Sequence, residues 1–525
     1  MSKSSRKGKR PAAGPGRRIA APTAGESRPG WRPAPAAGLA VAAVAVLAFY
    51  ASLRLRAGEP WSYDEYYHLG LARLMWSDFR IESFRWTPFS LLFDHFADKE
   101  PLFHVLLMPL AGLPLERAGL LGTLLGQIFV IGVFAWLLWR LRVPHAPLFL
   151  LALTALGPMF AFRAEMCRPH IWLIGFSVLV LGLLATNASW KVLLPVCALF
   201  GLAHTGGWIA IPFAALWAVA GFLSQVPEER RLDRRPLAAA AGGWLLGQLV
   251  HPNMPENFRV FWLVNFVIPF QSTAGSAALR SQIGTELTPP EGWVLAQQLP
   301  VFLIPLLVVG FLLSRERLRT RATLTTAAFG LAFLGIGTFF LRRFFELGAP
   351  LSLLALALIL RERHAAGLVR RRSQVLPIAA AVAILLGAIW TWRITASYDS
   401  GDFSPPREMA EWLGARGRPG ERVFTAQWAD SAPLFYSAPQ LQSLVVLDPT
   451  FFLAKDPRLF ETYVRIVQGR HPEPARAIRE LFGARWVTVS KQPVYRAFGE
   501  QLVRTPGVLV RLNARHYLVL DLGGA

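Results

Sequence analysis

About eleven apolar runs divide the first 395 residues of this chain, at 37–53, 118–139, 147–162, 169–186, 190–204, 207–223, 237–251, 294–313, 322–341, 344–360 and 375–395. Each is near the length a helix needs to cross the hydrocarbon core of a bilayer. Most charged residues lie in the clusters between them. The pattern predicts a polytopic α-helical membrane domain over residues 36–395, with about 11 transmembrane helices. Beyond it the periodicity changes. Short β-type runs at 422–426, 443–447, 486–490, 508–512 and 516–520 alternate with helical stretches at 405–415, 458–468, 474–482 and 494–502. This predicts a soluble α/β domain over residues 396–525.

Charge orients the helices. The chain ahead of the first run carries Lys3, Lys7, Lys9, Arg10, Arg17 and Arg18. Residues 1–35 are too poor in apolar side chains to form a core, so they read as a disordered basic tail, cytoplasmic by the positive-inside rule. Alternating eleven spans from that end places Arg140, Arg142 and the loops 228–235, 315–321 and 361–372 on the cytoplasmic side. It leaves outside the loop 54–117, the turn 162–169, the loop 252–293 and everything after Arg393. The expected location is a bacterial inner (plasma) membrane, with the C-terminal domain periplasmic or extracellular, and no separate export signal is needed ahead of so many spans.

With 53% hydrophobic and 17% charged residues, and a mean hydropathy of +0.38, the chain is too apolar for an ordinary soluble enzyme. Its net charge of +22 sits largely in short loops, which assigns it to topology and lipid headgroups, not nucleic acid. Cys167 and Cys197 have no metal or redox spacing and read as small buried side chains.

The first outer loop, 54–117, carries the candidate chemistry. It opens with Trp-Ser-Tyr-Asp-Glu-Tyr-Tyr-His at 61–68, an adjacent acid pair, Asp64 and Glu65, just past the first span. Carboxylates there are costly unless something uses them. From Leu69 to Phe96, aromatic and aliphatic residues interleave with Arg73, Arg80 and Arg85, which predicts amphipathic helices resting on the outer leaflet. A second acidic cluster runs from Asp94 to His104. His104 and His95 could ligate a divalent cation with Asp98 or Glu100; the alternative is a set of hydrogen-bonded loop residues. His204 reads as a packed polar residue, and Glu286 and Asn265 have only weak claims.

In this respect the chain resembles the C-type glycosyltransferases (GT-C), which take a sugar from a polyprenyl-phosphate carrier, and in particular the protein O-mannosyltransferase and lipid A aminoarabinose transferase branch. Four features carry the resemblance: the acid pair Asp64-Glu65; Lys99-Glu100-Pro101-Leu102-Phe103-His104, similar to a Lys-Pro-Pro-Leu or His-Pro-Pro-Leu motif; the turn Arg163-Ala164-Glu165-Met166-Cys167-Arg168; and Arg342-Arg343 ahead of Pro350 at a helix end. The likeness covers most of residues 37–395. It implies substrate-binding roles for Arg163, Glu165, Arg168, Glu100, His104, Arg342 and Arg343. Glu100 replaces the usual first proline, and Pro169-His170 stands where an aromatic is common, which leaves the substrate open.

The chemistry fits the residues themselves. A glycosyl phosphate already carries a good leaving group, so inverting transfer needs one base for the acceptor hydroxyl and cations for the departing phosphate. Asp64 is the expected base, Glu65 an orienting neighbour, and the arginines the phosphate ligands. The acceptor could be a lipid, a glycan or a protein. Two rival readings remain at this level. A transporter or flippase for a lipid-linked envelope precursor would also want many spans and outer-face charges, though transporters usually show repeated halves and broken helices. A structural subunit of an envelope complex would leave Asp64 dispensable.

Overall fold

The structure is a computed structural model that describes residues 36–57, 60–224, 226–274, 282, 284–314, 320–367, 375–398, 405–446 and 448–523. The basic tail expected over 1–35 lies outside the described residues. All eleven apolar runs lie on helices. Six are long and apolar enough to cross a membrane: Ala36–Arg56, Leu115–Arg140, Thr205–Leu223, Arg321–Phe339, Arg342–Ala365 and Val375–Ser397. The run 147–162, expected as one straight span, is a pair of helical pieces, Ala146–Ala155 and Pro158–Ala164, bent by 89°. Counted as one broken span, it makes seven. Gly157 makes the break, with φ +87°, a conformation that glycine adopts without strain, and Pro158 then starts the second piece. Helices His170–Ala185, Trp190–Ala203 and Leu299–Leu313 are apolar but shorter.

The bundle has two charged ends. At one, Arg321 donates from its backbone to Glu229 (2.7 Å) and from its guanidinium to the Arg231 carbonyl (2.7 Å). There too Glu362 accepts from Thr323 (2.5 Å) and from Thr320. This gathers the loops around 229, 320 and 362 on one face, as the charge pattern predicts. The other end carries a small α/β unit, residues 405–523. Its five-stranded sheet has the order β2-β1-β3-β5-β4, with β1 Arg422–Thr425, β2 Gln442–Ser443, β3 Trp486–Ser490, β4 Leu509–Asn513 and β5 Tyr517–Asp521. β2, β1 and β3 are parallel, whereas β5 runs antiparallel to β3 and β4. Amphipathic helices such as Pro457–Val467 and Pro474–Phe482 bury one face against it.

The expected interfacial helices of the first outer loop are not what forms. One helix, Tyr63–Ser77, is followed by irregular chain to the helix Pro101–Leu107, broken only by a short 3-10 turn at 91–93. Phe84, Leu91, Leu92 and Phe96 are buried, in one apolar cluster with Phe424, Phe435, Val446 and Phe452 of the α/β unit. Hydrogen bonds tie the two segments, from Ser443 N to the Trp86 carbonyl (2.8 Å), from the Gln442 side chain to the Arg85 carbonyl (3.2 Å) and from the Trp86 indole to the Pro439 carbonyl (2.6 Å). The apolar side chains that suggested a lipid surface are instead half of a protein core, with Trp76 and Phe79 left exposed.

Candidate functional site

The helix Tyr63–Ser77 sets the site, because its first turn holds both acids and successive helical residues point about 100° apart. Asp64 turns toward the open side, its side chain 21% exposed, and receives Arg168 Nε at 2.9 Å. Glu65 turns inward and is sealed at 0%. It accepts from Arg54 Nη2 at 2.8 Å and from the Cys167 amide at 3.3 Å. Residue 119 on the facing helix must be glycine for this pair to close, since a Cβ there would lie 2.8 Å from both Arg54 Nη2 and Glu65 Oε2. The adjacent acids thus divide into one open carboxylate and one buried anchor.

Arg168 also donates to Glu286 (3.1 Å), which accepts from Arg163 (2.5 Å); Arg163 in turn donates to Glu346 (2.8 Å). A chain of alternating charge therefore runs Asp64, Arg168, Glu286, Arg163, Glu346 across four segments. Burial disfavours charge on Glu286, but Arg168, Arg163 and Arg343 outweigh it and hold the carboxyl well below its usual range. Glu286, which had only a weak claim in the sequence, is the hub of this network. It is one of three acids in the loop 252–293, with Glu256 and Glu291, and nothing local marks it apart.

The second acidic cluster folds inward. His104 Nδ1 meets Asp98 Oδ2 at 2.7 Å, and its Nε2 meets His68 Nδ1 at 2.8 Å. His251 bonds the Asp98 carbonyl oxygen (2.9 Å), and the Asn253 side chain accepts from the Asp98 amide (3.1 Å). Burial opposes ionisation of Asp98, yet His104, the Glu100 amide that donates to its carboxylate (3.0 Å) and the His251 ring outweigh it and hold the carboxyl below its usual range. Burial raises Glu100, with Lys99 beside it offsetting only part. His95 lies elsewhere, 3.3 Å from Glu256. Of the two readings of this cluster, the structure shows the hydrogen-bonded one: among the described residues, no three His, Cys, Asp or Glu side chains are placed to hold a metal.

The remaining candidates separate by exposure. Glu165 and His104 are sealed at 0% and Glu100 at 3%, so they support the site without facing the open side. Glu165 lies behind Glu65, with Gln127 Nε2 at 3.3 Å. Of the paired arginines, Arg342 is engaged with Glu291 (3.0 Å), Thr288 and the Pro289 carbonyl. Arg343 has no hydrogen bond or ion pair among the described residues and bears electrostatically on Glu286 and His204. Lys99 is also unpaired among the described residues. It bears on Glu100, His68 and Asp448, the last an acid of the α/β unit. Lys99 sits inside the motif that the sequence displays, yet the flanking Glu100 and His104 drew the attention. The partly exposed carboxylate of Asp64 is thus paired with Arg168, while Arg343 reaches the same network through Glu286 and Lys99 lies by Glu100.

A bundle of long apolar helices capped at one end by an α/β unit, with its acid helix pinned beneath that cap, is a membrane protein of the GT-C fold. Solved structures share it. ArnT from Cupriavidus metallidurans, bound to undecaprenyl phosphate, matches with a TM-score of 0.56 at 16% identity over 93% of this chain and 99% of that one. The arabinofuranosyltransferase AftD from Mycobacteria matches with a TM-score of 0.55 at 15% identity over 94% of this chain. This chain spans only 40% of AftD's length. At such identities the likeness is one of fold. No protein-family model and no curated protein matches the sequence.

Proposed function

We propose that this protein is a membrane glycosyltransferase. It moves a sugar from a polyprenyl-phosphate donor to an acceptor hydroxyl on the extracytoplasmic face of a bacterial inner membrane. The observation that carries this reading is the partly exposed carboxylate of Asp64 paired with Arg168, in a charged network that Arg343 also reaches through Glu286. As the acceptor oxygen attacks the anomeric carbon, Asp64 takes its proton, and the bond from that carbon to the phosphate oxygen breaks with inversion. The negative charge that collects on the departing polyprenyl phosphate is met by the cations. No electron changes hands and no cofactor is called for. The ArnT structure holds undecaprenyl phosphate, which supports a carrier of that class as donor.

The test is transfer by the purified full chain from a panel of fluorescent polyprenyl-phosphate sugars, read as release of free polyprenyl phosphate. Release that depends on the chain and on an added acceptor supports the reading. Movement of the intact carrier across vesicles without cleavage would replace it with a flippase. The same reading places residues 405–523 on the extracytoplasmic side of the membrane, so an alkaline phosphatase fusion at the C-terminus should be active and a green fluorescent protein fusion dark.

A further inference from the structure

The helix that presents Asp64 is not capped at its start by its own N-cap side chain. Among the described residues, Ser62 makes no side-chain capping bond and its buried hydroxyl has no hydrogen-bond partner. The first amides of a helix have no acceptors within it, so an uncapped first turn frays unless something else holds it. Glu65 is held on one side by Arg54. On the other side the restraint comes from the far end of the chain. Gln427 Nε2 donates to the Tyr63 hydroxyl at 3.1 Å. Tyr517 donates to the buried Asp430 at 2.8 Å and shares a hydrogen bond with Tyr63. Gln427 and Asp430 flank the turn after β1 and Tyr517 opens β5, so two parts of the α/β unit converge on one hydroxyl. Trp428, between them, donates to the Gln282 carbonyl just ahead of Glu286 (2.8 Å).

We propose that Gln427, Asp430 and Tyr517 are positioning residues that act through Tyr63 to fix the direction in which Asp64 faces the reacting hydroxyl. The α/β unit is then a working part of the site and not only a cover over it. Tyr63 and Asp64 share one peptide bond, so rotation of the first turn carries the carboxylate with it. A displacement of about 1 Å at a reacting group costs up to roughly 100-fold in rate. This inference rests on the transferase reading above, and its test is built so that the two fail separately.

The full chain in lipid nanodiscs is compared with Tyr63→Phe, Tyr517→Phe and the double variant, each of which removes hydroxyls without changing ring shape. Amide hydrogen exchange over residues 64–68 is expected to quicken by about 5-fold, the worth of one neutral hydrogen bond. Turnover should fall about 10-fold with the apparent donor KM unchanged, and the double variant should be no worse than either single one. Lys455→Ala, which removes a different contact of the same unit, to Asp94, should alter neither readout. Unchanged exchange in both single variants, faster exchange with unchanged turnover, or losses that multiply in the double variant would each overturn the proposal. If the wild type transfers no sugar, the transferase reading fails, and the exchange measurement alone still decides whether the clamp exists.

Discussion

Arg168, just ahead of the helix His170–Ala185, meets Asp64 of the helix Tyr63–Ser77 at 2.9 Å and places a positive charge directly on the one open carboxylate of the acid pair. The same guanidinium reaches Glu286, so the candidate base and the hub of the ion network share a ligand. Asp64 is thereby oriented from the side as well as from its own helix. Asp64→Asn keeps the shape of the side chain but cannot take up a proton. Transfer should drop by about 100-fold or more, with membrane insertion and melting temperature nearly unchanged. Retained turnover in the purified variant would remove Asp64 from the mechanism.

Glu286→Gln should behave differently. It leaves Arg168 and Arg163 short of a partly buried counter-charge, at a cost of roughly 1–3 kcal/mol in stability. Thermal unfolding in detergent is expected to show that loss, and turnover should fall with it. A variant as stable as wild type would show that Glu346 and Asp64 suffice to hold both arginines.

The paired arginines should separate. Arg342 is spent on Glu291, Thr288 and Pro289, whereas Arg343 is free to meet a phosphate. Arg343→Lys loses the planar two-point grip and should weaken apparent donor affinity about 10-fold. Arg342→Lys should alter affinity little. Lys99→Gln should resemble the Arg343 variant. Equal affinities across all three would move the phosphate site to Arg163 and Arg168.

Arg54 and Glu65 offer a test of anchor against chemistry. Both side chains are buried, at 3% and 0%, so Arg54→Met strands a carboxylate and should cost about 3–5 kcal/mol. The double variant Arg54→Met with Glu65→Leu should recover most of that stability. If the double variant were as unstable as the single one, Glu65 would hold something more than Arg54.

Asp430 predicts a pH effect. Burial lifts its carboxyl from 3.8 to about 8 in the folded chain. Between those values the folded protein keeps a proton that the unfolded chain has released, so stability falls as pH rises across that window, by up to roughly 1.4 kcal/mol per unit. Asp430→Asn removes the titration. Its melting temperature should therefore gain on the wild type's between pH 5 and pH 8, and a constant difference would contradict the assignment.

Much of the architecture was legible because apolar runs and period-two strands are local signals. The acid pair, the turn from Arg163 to Arg168 and the four helical stretches after residue 404 all fall where the pattern puts them. What escaped was long-range. The residues from Phe84 to Phe96 carry the composition of an interfacial segment, and nothing local shows that their partner is Phe435 rather than lipid. The bend at Gly157 was hidden inside a continuous apolar run. Glu286 gained its place only from two arginines contributed by a distant turn.

The core shared by the first outer loop and the α/β unit also orders events during synthesis. Phe84 and Trp86 emerge early, but the surfaces they pack on, Phe435 and the Pro439 carbonyl, are made after the last long apolar helix. At ribosomal rates the loop waits on the order of tens of seconds, half-built and with its apolar side chains uncovered. During that interval Tyr63 lacks the contacts from the α/β unit that we propose set the direction of Asp64. Truncation that removes β5 should therefore slow transfer by at least about 10-fold, and should expose the loop to envelope proteases.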